Sequence, residues 1–189
     1  MLMKYLNLIL DQGQQFDLNG NLVDWWQEET KSAFIEKAKC IIEQYGNYTD
    51  TNVDLKLNGI NTQGENIADN GGIKEAYLAY KQLVKIEGEE PRLPGLDFST
   101  EQLFWISAAQ TWCSVYRPGI LHHLYKSTIN YIFFVFYISE TMKMQITTNE
   151  HAPDKFRILG PLSNMRDFAH DFNCEEGSPM NPTSKCEVW

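Results

Sequence analysis

Apolar residues recur every three or four positions in three stretches of this 189-residue chain, a spacing typical of amphipathic helices. The first stretch begins at Asp24, whose side chain suits a helix N-cap, and stops at Gly46. We therefore expect a helix over residues 24–45 that packs on a core through the residues of one face, namely Trp25, Trp26, Ala33, Phe34, Ala38, Ile41, Ile42 and Tyr45.

The second stretch begins at Gly64, where a polar loop ends, and continues to about Gly88. Its apolar stripe comprises Ile73, Ala76, Tyr77, Tyr80 and Val84. Two glycines, Gly71 and Gly72, lie inside the stretch, and they allow two outcomes. They break the helix, or they let its backbone approach another helix closely.

The third stretch begins at Ser99 or Thr100, either of which can cap a helix that has Gln102 or Leu103 at its third position. From Phe104 to Cys113 it is apolar nearly all round, which predicts a helix buried in a large core. Together the three stretches predict a mainly α fold.

Two carboxylates start the second helix. Glu65 and Asp69 are four residues apart, so a helix places both on one face, with no basic residue between them. Such a pair is tolerated when a cation lies above it, or when one carboxylate binds a metal and the other orients a second ligand. The alternative is an ordinary first helical turn, where acidic side chains suit the positive end of the helix dipole.

The sequence around this pair resembles a known metal-binding motif. Residues 64–72 read Gly-Glu-Asn-Ile-Ala-Asp-Asn-Gly-Gly, and they resemble the second zinc motif of the neprilysin and endothelin-converting-enzyme family of zinc metallopeptidases. The resemblance implies that Glu65 is the third zinc ligand, that Asp69 braces a zinc-binding histidine, and that the helix continues through Gly71 and Gly72. It also implies the fold, the C-terminal part of a helical, zincin-like peptidase domain that is incomplete here.

Other segments carry the same resemblance. The family's sequence is matched in three further segments, residues 110–118, 148–157 and 172–189. In the second of these, the resemblance implies that His151 stabilises the oxyanion formed when water attacks a peptide carbonyl. It implies that Arg157 holds a substrate carbonyl by a forked hydrogen bond. Without the resemblance, His151 is an ordinary loop histidine and Arg157 a surface or ion-pairing arginine.

The four cysteines show no metal-binding spacing, and four cysteines allow three disulfide connectivities. The resemblance implies a bond between Cys40 and Cys186, with Cys113 and Cys174 paired to cysteines of a missing N-terminal region. Asn47-Tyr48-Thr49 is a glycosylation sequon, which suits an extracellular or lumenal chain.

Two segments depart from the family. The family carries HExxH before Asp-Gln-Gly, but the aligned positions here hold Met3, Lys4 and Asn7, which cannot replace two histidine ligands and a catalytic glutamate. We interpret residues 1–10 as a non-family start from a truncated or mis-joined transcript. Residues 124–141 have no recognisable family counterpart. We interpret them as an insertion or a retained intron, although the apolar run 131–138 is also compatible with a buried strand.

Composition excludes some classes of function. The chain has a formal net charge of -9 and no basic patch, which argues against a nucleic-acid partner. It contains neither a secretory leader pattern nor an apolar run of about 20 residues. By resemblance, we expect an enzyme on the extracellular side of the plasma membrane or secreted.

The functional prediction is a zinc metalloendopeptidase of the neprilysin type. Its expected partners are short extracellular peptides, cleaved on the amino side of apolar residues, and the missing N-terminal region of the same enzyme. Because this chain keeps one of three zinc ligands, we expect it to be inactive alone. The alternatives are a non-catalytic peptide-binding module that uses His151 and Arg157, and a truncated product without a stable fold.

Overall fold

The computed structural model describes residues 15–17, 19–114 and 143–188. The expectations for residues 1–10 and 124–141 therefore lie outside the described residues. The described part is mainly helical, as expected, with one small two-stranded sheet. Its named elements are α1 (Glu28–Gly46), β1 (Thr49–Asp50), β2 (Leu55–Lys56), α2 (Gln63–Glu87), α3 (Thr100–Gln110), α4 (Asp154–Asn164) and α5 (Arg166–Asp171), and residues 143–148 are also helical.

The N-cap of helix α1 lies three residues later than the sequence predicts. It is Gln27, with no side-chain capping bond, so the prediction that Asp24 caps the helix is wrong. Asp24 instead forms a 2.8 Å ion pair with Lys31, one turn inside the helix. Trp26 precedes the helix and packs edge-on against Phe34, at 5.5 Å between ring centroids.

Helix α2 is continuous through Gly71 and Gly72. Its buried residues form one unbroken run from Asn66 to Gly71, followed by Tyr77. The run is buried because α1 and α4 both pack against this half of α2. The C-terminal half of α2 leaves several apolar side chains exposed, including Leu78 and Ile86.

Helix α3 begins with the expected cap. Ser99 Oγ accepts a hydrogen bond from the Gln102 backbone N–H, and the Gln102 side chain accepts one from the Ser99 N–H. The expectation that α3 is buried all round is wrong for the described part of the chain, in which Trp105 is its one buried residue. Much of its remaining apolar surface faces an open cavity, which is described with the functional site.

The core of the described residues consists of two clusters. The larger one joins α1, α2, α4 and the C-terminal tail through Phe34, Ile41, Tyr45, Ile67, Phe156 and Val188, among others. The smaller one is built on Tyr77, Trp105 and Leu162. In this second cluster Asp171 Oδ2 accepts hydrogen bonds from the Tyr77 hydroxyl at 2.7 Å and from Trp105 Nε1 at 2.8 Å.

Helices α1 and α4 meet at a position where only glycine fits. A Cβ atom added to Gly160 would lie 2.1 Å from the Tyr45 hydroxyl oxygen. Tyr45 is completely buried, and it also accepts a long 3.5 Å hydrogen bond from Asn70 on α2. Tyr45 therefore sets the spacing between α1, α2 and α4, and this spacing positions the residues of the candidate site.

The C-terminal tail is fixed to this core in two ways. Cys40 on α1 forms a disulfide with Cys186, 146 residues away, which is the pairing that the resemblance implies. Asn164 Oδ1 accepts the Cys186 backbone N–H at 3.1 Å, while its Nδ2 donates to Asn70 Oδ1 at 2.8 Å. Cys113 and Cys174 are free thiols in this structure.

Candidate active site

Four of the residues singled out in the sequence meet where α4 crosses the start of α2. Arg157 Nε donates to Asp69 Oδ2 and Arg157 NH2 donates to Asp69 Oδ1, both at 2.7 Å. The same NH2 group donates to Glu65 Oε2 at 3.2 Å. His151 Nε2 lies 3.3 Å from that Glu65 oxygen. A single guanidinium thus connects both carboxylates, and the histidine lies beside it.

Local structure explains how each side chain arrives there. Glu65 is in the first turn of α2, and Asp69 follows one turn later on the same face. Asn149 Oδ1 accepts the His151 backbone N–H at 2.9 Å, so a tight polar turn directs His151 toward the site. Pro153 is the N-cap of α4, which places Arg157 near the start of that helix.

The Asp69–Arg157 pair is buried. Their side chains are 6% and 9% exposed, whereas Glu65 is 23% exposed and His151 is 47% exposed. Burial raises the pKa of Asp69 above its usual value, although the hydrogen bonds from Arg157 act in the opposite direction. For Arg157, burial disfavours the cation, but the hydrogen bonds and charge of Asp69 outweigh it and raise the pKa. Arg157 is therefore charged at any physiological pH.

This geometry shows whether a cation lies above the two carboxylates of α2. A cation does lie above Glu65 and Asp69, and that cation is Arg157. In this structure Asp69 uses both of its carboxylate oxygens to hold the arginine. Within the described residues the Arg157 NH1 group has no hydrogen-bond partner, and it is the part of the guanidinium open to a ligand.

Trp112 is a member of the site that the sequence reasoning did not single out. Its ring lies under the Arg157 guanidinium, with 3.9 Å between the ring centroid and Cζ. Trp112 belongs to the segment 110–118, so the resemblance covered it without assigning it a role. Arg157 is thus fixed by carboxylates on one side and by an aromatic face on another.

A cavity of about 680 Å³ opens beside Arg157 and Trp112. It lies between α2, α3 and α4, and most of its lining is apolar, contributed by Ile73, Tyr80, Leu93, Phe104, Ile158 and Leu162 among others. Asp69 and Arg157 also line it and are among its polar groups. An apolar cleft with a few convergent polar groups is typical of a ligand site.

The donor set of the described residues does not fit a zinc ion by itself. A zinc site takes three or four protein ligands, yet the described part of the chain contains no group of three His, Cys, Asp or Glu residues placed to hold a metal. Glu65 and His151 are at most two donors, and Glu65 also accepts a hydrogen bond from Arg157. These residues therefore fit part of a metal site and leave the rest to other ligands.

Other predicted positions lie away from this cluster. Asn47 is the exposed residue directly after α1, at the surface as a glycan acceptor must be. His170 lies on α5, mostly exposed, and contacts Asp171 rather than the site. Among the described residues no helix is both long and apolar enough to cross a membrane.

Comparison with known families identifies the class of protein. The model of Peptidase family M13 matches residues 8–131 and 122–188, and the chain therefore belongs to that family. Neprilysin-2 of Drosophila melanogaster is 56% identical over 179 residues, which are 95% of this chain and 20% of that protein. Human neprilysin is 43% identical over 180 residues, which are 95% of this chain and 21% of that protein.

Solved structures agree with the fold. A structure described as the Haemonchus galactose containing glycoprotein complex superimposes with a TM-score of 0.77 and 34% identity, over 99% of this chain and 28% of that one. The Mycobacterium tuberculosis zinc metalloprotease Zmp1 also gives a TM-score of 0.77, with 26% identity over 99% of this chain and 26% of that one. The chain spans about a fifth of the length of the curated relatives it matches.

Proposed function

We propose that this chain is the C-terminal portion of a zinc metalloendopeptidase that cleaves short extracellular peptides. The observation that carries the proposal is the convergence of Glu65, Asp69, His151 and Arg157 at one end of an apolar cavity. The residues come from two segments that are separated by more than 80 positions, 65–69 and 151–157. Peptidase sites need such a combination, a polar reaction centre beside an apolar pocket for a substrate side chain.

The proposed roles follow from the position of each group. Glu65 supplies one carboxylate ligand to a zinc ion, whose other protein ligands are two histidines of an HExxH helix that this sequence does not contain. When bound, zinc supplies Lewis acidity at the attacked carbonyl. His151, at the exposed side of Glu65, donates a hydrogen bond to the oxyanion that develops on the substrate.

Arg157 binds the substrate through its NH1 group. Its Nε and NH2 groups are used by Asp69 and Glu65, which fix the plane of the guanidinium. The substrate carbonyl therefore meets an arginine that is already oriented, and little side-chain entropy is lost on binding. Asp69 serves as the anchor of Arg157, in addition to the contact with a zinc-binding histidine that the family resemblance implies.

The chain alone is proposed to be inactive. One carboxylate does not hold zinc usefully, and the positions of the two histidines and the general base are Met3, Lys4 and Asn7. Residues 124–141 are proposed to be an insertion, or a retained intron, in an otherwise regular family sequence. The family model matches the chain in two segments that overlap at residues 122–131, so the match is divided beside this proposed insertion.

The proposed location is extracellular or lumenal, secreted or on the outer side of the plasma membrane. The Cys40–Cys186 disulfide supports it, because structural disulfides persist in oxidising compartments. The exposed sequon at Asn47 is the second support.

A peptidase assay of the purified 189-residue chain tests the inactivity. The substrate is a short fluorogenic peptide with an apolar residue after the scissile bond, and zinc and a chelator are added in separate reactions. We expect no chelator-sensitive cleavage. Cleavage that the chelator stops and that Glu65→Gln abolishes would refute the proposal.

A non-catalytic peptide-binding function is the second candidate. The free NH1 group of Arg157 beside the apolar cavity favours it, since both features persist without a metal. Titration with a non-cleavable peptide, followed by tryptophan fluorescence and compared with a Trp112→Phe variant, tests it. Chelator-insensitive binding that Arg157→Lys weakens would support this function, whereas no binding together with cooperative melting would exclude it. Loss of cooperative melting would instead identify a product without a stable fold.

A further inference from the structure

We propose that a second, smaller cavity beside the C-terminal tail binds an oxyanion such as phosphate or sulfate, between Arg166 and Lys185. The cavity has a volume of about 100 Å³ and lies between α2, the start of α5 and the tail residues 185–188. None of the four residues of the candidate active site lines it. Its charged lining consists of three basic and two acidic residues, Lys74, Arg166, Lys185, Asp167 and Glu187.

The basic residues of this cavity differ in whether a carboxylate pairs with them. Lys74 forms an ion pair with Glu187. In contrast, no carboxylate of the described residues lies within 4.0 Å of the charged nitrogens of Arg166 or Lys185. Lys185 Nζ donates to the Ser163 backbone carbonyl at 2.7 Å, its one hydrogen bond to the described part of the chain. Two ammonium hydrogens and the Arg166 guanidinium are therefore available to an anion.

The electrostatic environment of Lys185 is the second observation. Burial lowers its pKa, and the positive charge of Arg166 lowers it further. Lys185 is half-buried and Arg166 is exposed. The Glu187 carboxylate is already paired with Lys74, and its pKa is lowered by the hydrogen bond from Lys74 and also by the charge of Arg166. Two cations that repel each other are stabilised when an anion binds to both. Guanidinium and ammonium groups both bind phosphate in proteins through charge-assisted hydrogen bonds.

The size of the cavity and the net charge of the chain restrict which ligands can bind. A volume of about 100 Å³ holds roughly three water molecules, enough for one tetrahedral oxyanion and too little for a nucleotide. The formal net charge of the chain is -9, so its long-range field repels anions. Binding must therefore come from the two local cations, and it should depend strongly on each of them.

Titration of the full 189-residue chain with sodium phosphate, and separately with sodium sulfate, tests the proposal. Ionic strength is held constant with sodium chloride, and the thermal midpoint and the backbone amide resonances of Arg166 and Lys185 are recorded. We expect a saturable response to both oxyanions. Arg166→Gln and Lys185→Gln should each weaken the affinity about tenfold, the effect of losing one charge-assisted hydrogen bond.

Lys56→Gln is the matched control, because it removes the same charge from an exposed strand residue outside the cavity. It should leave the affinity unchanged. A response that does not saturate, or that Lys56→Gln and Arg166→Gln change equally, would be general salt stabilisation and would overturn the proposal. Lys185→Gln also removes the hydrogen bond to Ser163 and could therefore fail to fold. Arg166→Gln removes no hydrogen bond among the described residues, so it decides the result in that case.

Discussion

Arg157 holds both carboxylate oxygens of Asp69 at 2.7 Å, across the contact between α4 and α2. The pair is almost completely buried, so each charge depends on the other for compensation. The pair also connects the helix that carries Glu65 to the helix that follows His151.

The first prediction concerns this pair. Asp69→Ala should lower the free energy of unfolding by about 3–5 kcal/mol, because it leaves the buried Arg157 cation without its bidentate partner. Urea unfolding of the chain measures the change. The double variant Asp69→Ala/Arg157→Met should be more stable than Asp69→Ala alone, since no uncompensated charge remains. Glu43→Ala, which removes the exposed Lys39–Glu43 pair, is the control and should cost less than about 1 kcal/mol.

A second prediction follows from the contact between Gly160 and Tyr45. Gly160→Ala places a methyl group 2.1 Å from the Tyr45 hydroxyl oxygen and 2.4 Å from Cζ, so α1 and α4 must move apart. We expect a loss of about 1–3 kcal/mol, measured by thermal or urea unfolding.

Gly46 provides the matched control. It ends α1, its φ angle is not positive, and a Cβ there would meet nothing within 4 Å. Gly46→Ala should therefore be neutral or slightly stabilising. Equal destabilisation by Gly46→Ala and Gly160→Ala would show that the steric account of Gly160 is wrong.

The third prediction concerns the cysteines. A non-reducing peptide map should contain a Cys40–Cys186 link and no link between Cys113 and Cys174. Both of these thiols are free in the structure: Cys113 follows the C-terminal end of α3, whereas Cys174 follows α5, which contacts the start of α3 through Gln102 and Asp171. Reduction should lower the free energy of unfolding by about 4–5 kcal/mol in the chain-entropy model. A map without the Cys40–Cys186 link would contradict the structure directly.

The fourth prediction concerns Asp171, which accepts two buried hydrogen bonds on one oxygen. Asp171→Ala leaves the Tyr77 hydroxyl and the Trp105 indole N–H without their acceptor, and each unsatisfied donor costs about 1–3 kcal/mol. Tyr77→Phe removes a single donor and should cost less. Urea unfolding followed by tryptophan fluorescence distinguishes the two variants, and equal losses would indicate that Asp171 Oδ2 does not serve both groups.

The sequence predicted the helices well because their apolar spacing is regular. It gave Ser99 or Thr100 as the cap of α3, and the structure has Ser99, where a capping box is a local signal. It misplaced the start of α1, because the Asp24–Lys31 ion pair and the Trp26–Phe34 contact depend on side chains a turn or more away. The exposure of α3 was also missed, since periodicity does not show whether a partner covers an apolar face.

For the candidate site, the sequence supplied the residues but not their contacts. Spacing indicated that Glu65 and Asp69 share a face, which either a cation above them or an ordinary first helical turn would explain. The resemblance singled out His151 and Arg157. That Arg157 is itself the cation above the carboxylates depends on how α4 crosses α2. The stacking of Trp112 under Arg157 depends on the same crossing, and no local pattern in the sequence encodes it.

A chimera tests the central claim most directly. The C-terminal fifth of Drosophila neprilysin-2 is replaced by residues 11–189 of this chain without residues 124–141, and zinc content and peptide cleavage are measured. We predict about one zinc per chain and chelator-sensitive cleavage. Glu65→Gln should lose the zinc, whereas Arg157→Lys should keep the zinc and raise KM. A chimera that melts cooperatively but binds no zinc, or that binds zinc equally well with Glu65→Gln, would contradict the assignment of this cluster to a zinc peptidase site.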